Sequence, residues 1–245
     1  MVYKNEIDGG IVKLSNSGSI GFMKIDTGKK NLITNPQFVN ISLLNKWIAD
    51  CQLKALIITG NKRHFSYGAD VDNMNLITDG WDKFEKAMNH GKEILAIIEQ
   101  LPLVTVAAIN GGCFGAGFEI ALSCHFRICG SNAFMGLPEV NRGLIPGLCG
   151  VERLTKIVGE SKSIELALLG TMITAEEAKK LNIVSKVSEG SDCLSDAFEF
   201  TCSLINERTS AQIKSVLSSA KNYQEVLPNN KNRFVEILKY KNSME

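Results

Sequence analysis

The stretch Asn110-Gly-Gly-Cys-Phe-Gly-Ala-Gly-Phe-Glu119 leaves the backbone around it few options. It follows an apolar run, Val104-Thr-Val-Ala-Ala-Ile109, that reads as a buried strand. Glycines then stand at Gly111, Gly112, Gly115 and Gly117, and Ile120, Ala121 and Leu122 continue after Glu119. The order is strand, glycine turn, helix, with a carboxylate in the first turn of the helix. A glycine turn lets another group approach the backbone closely. The helix start offers unpaired N–H groups and the positive end of a dipole. Such a place suits an oxyanion. It equally suits tight packing of helix on strand, and this stretch alone does not choose between the two.

Bulk properties narrow the function class. At 245 residues the chain suits one large domain, or one domain with an appendage. With 44% hydrophobic and 22% charged residues a packed core is expected. A formal net charge of +1 argues against a nucleic-acid surface. No apolar run has the length of a membrane span, and the first residues lack the apolar stretch of a signal peptide. A cytoplasmic location is the expectation. The seven cysteines are odd in number and contain no C-x-x-C pair, so free thiols are expected, with neither a disulfide framework nor a metal site. Cys113 lies inside the glycine turn and is read either as a nucleophile or as a small buried residue.

Taken in order, Gly10–Leu14 and Ile20–Ile25 read as strands joined by a polar turn. Pro36 to Asp50 carries Phe38, Ile41, Leu44, Trp47 and Ile48 on one helical face. Leu53–Thr59 reads as a strand and Phe84–Gln100 as a helix. After the central helix, expected over 116–124, come short strands at Arg127–Cys129 and Ala133–Met135, then helices over Glu152–Val158 and Ser161–Leu169. Thr174 and Glu177 have the spacing of a capping box. Ile183–Val187 reads as a strand. From Ser191 the pattern is helical, with Phe198, Cys202, Leu204 and Ile205 apolar, a break at Asn206–Thr209, a second helix through Ile213, Val216 and Leu217, and a last one bearing Phe234, Ile237 and Leu238. The repeat of strands followed by a helix predicts an α/β fold. Pattern alone leaves a doubly wound sheet and a spiral of ββα turns both open.

Three segments together resemble the enoyl-CoA hydratase/isomerase (crotonase) superfamily. They are Phe65-Ser-Tyr-Gly-Ala-Asp70, the glycine stretch through Glu119, and Leu137-Pro-Glu-Val-Asn-Arg-Gly-Leu-Ile-Pro-Gly147. The likeness covers residues 10–190. It implies a crotonase-like spiral of ββα turns over residues 1–190 and a helical trimerisation region over 191–245. A homotrimer or a dimer of trimers follows as the expected assembly.

The resemblance also implies a chemistry. Two backbone N–H groups, at Ala69 and Ala116, would hold the oxygen of an acyl thioester as it becomes an enolate. Fixed donors of that kind contribute about 3 kcal/mol each. Glu119 and Glu139 match the two carboxylates of the hydratase branch, with Glu119 assigned to water and Glu139 to the α-carbon proton. Tyr67, Gly68, Asp70, Gly115 and Gly147 would lie along the substrate, Tyr67 either narrowing the acyl pocket or stacking on the ligand. Lys29 and Lys30 stand where the family contacts CoA phosphates; a solvated loop is the other reading. No cofactor is implied beyond CoA or phosphopantetheine as part of the substrate, which is an acyl-CoA or an acyl-carrier thioester. The few residues after Lys241 imply little cover over the nucleotide end of CoA. His125 replaces the family's usual aspartate and reads as structural.

The expected reaction is reversible hydration of a 2-enoyl thioester. The alternatives are an enoyl thioester isomerase or decarboxylase, as in polyketide β-branching, or a catalytically silent scaffold.

Overall fold

The computed structural model of the chain describes residues 4–8, 11–70 and 81–221. An antiparallel meander opens the fold, made of β1 (Lys4–Asp8), β2 (Val12–Ser17) and β3 (Ile20–Ile25). α1 (Ile41–Asp50) leads to β4 (Ala55–Thr59), and α2 (Trp81–Gln100) leads to β5 (Val104–Ile109). Next come β6 (Gly112–Phe114), α3 (Ala116–Leu122), β7 (Phe126–Cys129) and β8 (Phe134–Gly136). A 3-10 turn (Glu139–Arg142) precedes α4 (Gly150–Val158) and α5 (Glu160–Leu169). β9 (Ile173–Thr174), α6 (Ala175–Lys180), β10 (Lys186–Val187), α7 (Leu194–Ile205) and α8 (Ser210–Lys221) complete the described chain.

The strands form two sheets, one of order β1-β2-β3-β4-β5-β7-β10 and one of order β6-β8-β9. From β3 to β10 the large sheet is parallel. β5 belongs to the large sheet and β6, directly after it, to the small one; β7 and β8 repeat the step. Isolated parallel bridges, Ser66 with Cys113 and Ile33 with Ala69, extend the small layer to the segments that follow β4 and β3. Each turn of the chain adds to one layer and then to the other before a helix closes it. This is the spiral of ββα turns.

Side-chain alternation divides the large sheet between two cores. Met23, Ile25, Leu56, Ile58, Ala107 and Ile109 enter the larger core, with the helices α1 to α4. Phe22, Ala55, Ile57, Val104, Val106 and Ala108, from the same strands, enter a second core with Ala197, Ile205 and Ile213 of α7 and α8. Phe22 stacks on Phe198 at 6.2 Å, and Phe126 meets Phe200 edge-on. The cover over Phe198, Cys202, Leu204 and Ile205 is therefore the chain's own sheet. Ile205 is buried there, and Phe198, Cys202 and Leu204 are partly buried against the same core.

Several expectations are corrected. The first helix begins at Ile41, because the Asn40 side chain caps it by accepting from the Leu43 N–H at 3.0 Å; residues 36–39 are not helical. The glycine turn contains a strand, β6, which the glycines hide from a propensity reading. The strand expected over Ile183–Val187 shrinks to two residues, since the Ile183 and Val184 N–H groups turn back to Ala178 O at the end of α6. The Thr174–Glu177 capping box is present. Residues 72–80 and the last expected helix, around Phe234, lie outside the described residues.

The Asn40 cap sets where the first helix starts, so Asn40→Ala should cost about 1 kcal/mol and Asn40→Asp very little. Urea unfolding checks this, and an unchanged midpoint in the alanine variant would remove the cap from the stability of the fold.

Candidate active site

Two short backbone segments, Phe65–Asp70 and Gly112–Gly117, lie directly on each other. Phe65 N–H donates to Asn110 O at 2.8 Å, Ser66 N–H to Gly112 O at 3.2 Å, and Phe114 N–H to Ser66 O at 2.9 Å. A Cβ on Gly68 would come within 2.8 Å of Phe114 O and 3.3 Å of the Ala116 nitrogen. One on Gly117 would meet Ser66 Cβ at 2.7 Å. Gly68 and Gly115 also have φ of 89° and 51°, in the region that favours glycine.

Through this contact Gly68, the residue before Ala69, lies against the start of α3 at Ala116. The Ile33–Ala69 bridge uses Gly68 O and Asp70 N–H, so the Ala69 amide is left free. Ala116 heads α3, and the first N–H groups of a helix have no partner within it. Neither amide has a hydrogen-bond partner among the described residues.

Glu139 starts the 3-10 turn and reaches the same place. Its Oε1 would lie 3.1 Å from a Cβ on Gly115. The residue is half-buried, and its Oε2 is buried with no hydrogen-bond partner. Burial pushes its carboxyl above the usual range.

Glu119 is on α3, every residue of which is buried, and is itself only 1% exposed. Its Oε1 accepts from Leu148 N–H at 2.7 Å and Gly150 N–H at 2.8 Å. Burial pushes its carboxyl up to about 7, and the charge of Glu139 acts the same way. The two N–H groups and Arg153 oppose that rise. The charge of Glu139 thus bears on the Glu119 proton, and Glu139 keeps a buried oxygen without a hydrogen-bond partner.

The remaining expected residues fall at different distances from this centre. Gly68 and Gly115 are the close-approach positions just described. Tyr67 packs over Gly112, edge-on to His64 at 4.8 Å and to Phe114 at 5.2 Å. Its N–H donates to Lys30 O at 3.0 Å, which ties the Lys29–Lys30 loop to the Phe65–Asp70 segment; both lysines are exposed. Asp70 N–H donates to Ile33 O at 3.0 Å, a structural bond. Gly147 lies on the Glu119 side of the site, against Met88 of α2. Cys113 is fully buried, and burial holds its thiol well above the usual range, so the nucleophile reading falls. All seven cysteines are free.

The pattern of the enoyl-CoA hydratase/isomerase family matches residues 15–241. The chain belongs to that family. A "Probable enoyl-CoA hydratase" of Bacillus subtilis is 38% identical over 144 residues, 59% of this chain and 55% of that protein. The fatty acid oxidation complex subunit alpha of Shewanella loihica is 38% identical over 154 residues, 62% of this chain. The match spans only 22% of the Shewanella protein. Pseudomonas aeruginosa DspI superposes with a TM-score of 0.82 at 25% identity, covering 94% of this chain and 96% of that one. An enoyl-CoA hydratase of a Polaromonas species gives a TM-score of 0.85 at 23% identity, with 96% and 95% covered, and shares the fold.

In this enoyl-CoA hydratase/isomerase chain, three groups escaped the sequence reading. The amides of Leu148 and Gly150 flank Cys149, which sits at φ 64° before α4. A Gly-Leu-Cys-Gly run at a helix start was the available signal. His64 accepts from Gly112 N–H through Nδ1 at 3.1 Å, and burial lowers its pKa. Buried Asn31 donates to both Ile25 O and Phe65 O, fixing the lysine loop to the Phe65–Asp70 segment. Its φ of 53°, which asparagine tolerates, gave no sequence signal beyond residue type.

The raised carboxyl of Glu119 has a consequence for stability. Its folded pKa lies above the unfolded one, so the contribution of the protonated form is full below about 4.5 and lost as pH rises through about 7. Glu119→Gln keeps an oxygen for the two amides and never ionises. It should therefore be more stable than the parent at pH 8, by on the order of 2 kcal/mol, with the gap closing by pH 5. Melting temperatures of the two proteins across this range check it; a gap independent of pH would contradict the burial argument.

Proposed function

We propose that the chain catalyses the reversible addition of water to a 2-enoyl thioester. The observation that carries this reading is the pair of carboxyls, Glu119 and Glu139, converging beside two unpartnered backbone amides. The thioester oxygen accepts from the Ala69 and Ala116 N–H groups. Water, held by Glu119, adds through its oxygen to the β-carbon and gives its proton to Glu119. The electron pair of the double bond moves onto the thioester oxygen as an enolate, which the two donors stabilise without reorganising. Glu139 then delivers its proton to the α-carbon. The pair carries one proton throughout; hydration moves it from Glu139 to Glu119, and dehydration returns it. Double-bond migration needs a single group to carry a proton between carbons, so two carboxyls favour hydration.

The substrate class is an acyl-CoA or an acyl-carrier thioester. The structural relative from Thermobifida fusca, bound to acetoacetyl-CoA, supports CoA; it has a TM-score of 0.80 and 21% identity, with 96% of both chains covered. The exposed Lys29 and Lys30, tied to Tyr67, would meet the phosphates outside the donor loop.

Glu119→Gln and Glu139→Gln should each slow hydration by about two orders of magnitude, and the two losses should not add. The kcat/KM profile should be bell-shaped. Its alkaline limb should lie near pH 7, where the pair loses its last proton. Oxygen-18 from solvent should enter the β-hydroxyl. Migration of a double bond, or release of carbon dioxide, without solvent oxygen in any product would establish the isomerase or decarboxylase reading instead. Full activity in both variants would favour a scaffold.

We infer a homotrimer or a dimer of trimers, as the family resemblance implies. An exposed apolar surface supports assembly: Ile145 is 80% exposed, Leu168 70% and Leu169 65%, with Phe134 and Met172 also exposed. Patches of this kind in soluble proteins mark contact surfaces. Light scattering should show a multimer at micromolar concentration that Leu168→Glu disrupts; a stable monomer of the parent protein would overturn the inference.

A further inference from the structure

We propose that Arg153, anchored by Glu99, is the positioning residue that aims the peptide groups holding Glu119. The inference rests on the reading of Glu119 as the group that handles water.

Arg153 is in the first turn of α4 and is 6% exposed. A guanidinium that deep needs partners on every side. Its Nε donates to Glu99 Oε2 of α2 at 3.2 Å. One terminal nitrogen donates to Leu148 O at 2.6 Å and to Cys149 O at 3.3 Å. These carbonyls belong to the turn whose Leu148 and Gly150 N–H groups hold Glu119 Oε1.

The geometry links the two ends. Cys149 C=O and Gly150 N–H are the two ends of one planar peptide group, and in a trans peptide they point in opposite directions. With the oxygen on Arg153, the N–H must face away from it, and it faces Glu119. The turn also needs fixing, because Cys149 has φ 64° and ψ 39°, a conformation an L residue with a Cβ leaves readily. Glycine would rest there; cysteine is held there. Arg153 therefore does two things at Glu119. It orients the donors, and its positive charge favours the carboxylate. The charged groups that act on Glu119 are Glu139 from the 3-10 turn and Arg153 from α4. Behind Arg153 stands Glu99, which Lys156 also contacts at 3.2 Å.

The two roles separate by substitution. Arg153→Gln removes charge and clamp; kcat should fall roughly 100-fold with KM little changed, the scale of a misplaced reacting group. The bell-shaped pH profile should move up by about one unit. Arg153→Lys keeps the charge without the fork, so the profile should return to its place while kcat stays low. Glu99→Gln leaves Arg153 in position but less neutralised, so the profile should move down. Opposite shifts from two variants that both weaken one ion pair are not what a general loss of stability would give. A carbon-13 titration of the Glu119 carboxyl, assigned by its absence in Glu119→Gln, should show the same order without turnover. Should Arg153→Gln not fold, the lysine and Glu99 variants carry the comparison. Folded variants with the parent's pH profile and carboxyl titration would overturn the proposal. That result leaves the water-handling role intact as long as Glu119→Gln is inactive; an active Glu119→Gln would instead remove that role itself.

Discussion

The site depends on one contact: backbone lying on backbone between Ser66–Gly68 and Gly112–Gly117. Side chains cannot mediate it, because a Cβ at Gly68 or Gly117 would overlap an atom of the opposite segment. The contact is also the seam between successive turns of the spiral, through the Ser66–Cys113 bridge. The same hydrogen bonds therefore extend the small sheet and hold Gly68 against Phe114 and the start of α3. The proposed donor pair, being main chain, would inherit the rigidity of the sheet, which is what electrostatic preorganisation requires.

Around this seam the chain arranges carboxyls at unequal depth. Glu119 projects from a helix with no exposed residue, and Glu139, itself half-buried, from a 3-10 turn whose later residues are exposed. Burial alone would neutralise Glu119. The turn before α4 opposes that with two N–H groups on one oxygen, and it returns the proton affinity to about 7. Desolvation and hydrogen bonding are thus set against each other, and the result lies where a proton can be exchanged near neutral pH. The second core lies on the opposite face of the large sheet. α7 and α8 cover that face, so the sheet that supports the site is packed on both sides.

Much of this was legible in the residues, and the exceptions share a cause. The strand Val104–Ile109, the helix α2 and the Thr174–Glu177 capping box are local patterns, and they appear where sequence places them. Ala69, Ala116, Glu119 and Glu139 are singled out by motifs; the structure sets Glu139 against Gly115, just before Ala116, and its charge acts on Glu119. What failed to show was non-local. β6 is a strand only because Ser66 and β8 pair with it. Phe198 and Leu204 read only as apolar positions of a helix until the sheet's second face, on which they pack, is known. Leu148 and Gly150 act through amides that carry no residue identity at all.

That last point bears on how the family's shared scaffold can differ between members. The donors to the Glu119 carboxylate are main-chain groups, as are those proposed for the thioester, so substitution at Ala69, Ala116 or Leu148 is expected to change little unless it moves the backbone. Backbone direction is held instead by polar side chains some distance off, buried Asn31 on Phe65 O, part-buried His64 on Gly112 N–H and buried Arg153 on Leu148 O. Each satisfies a main-chain group that would otherwise be buried without a partner, and removing one exposes that cost at the site. Variation in chemistry on this fold is then expected to lie in the side chains that stand over the donors, such as Glu119 and Glu139. Variation in the bracing residues should change rate and proton affinity together, while leaving the class of reaction as it is.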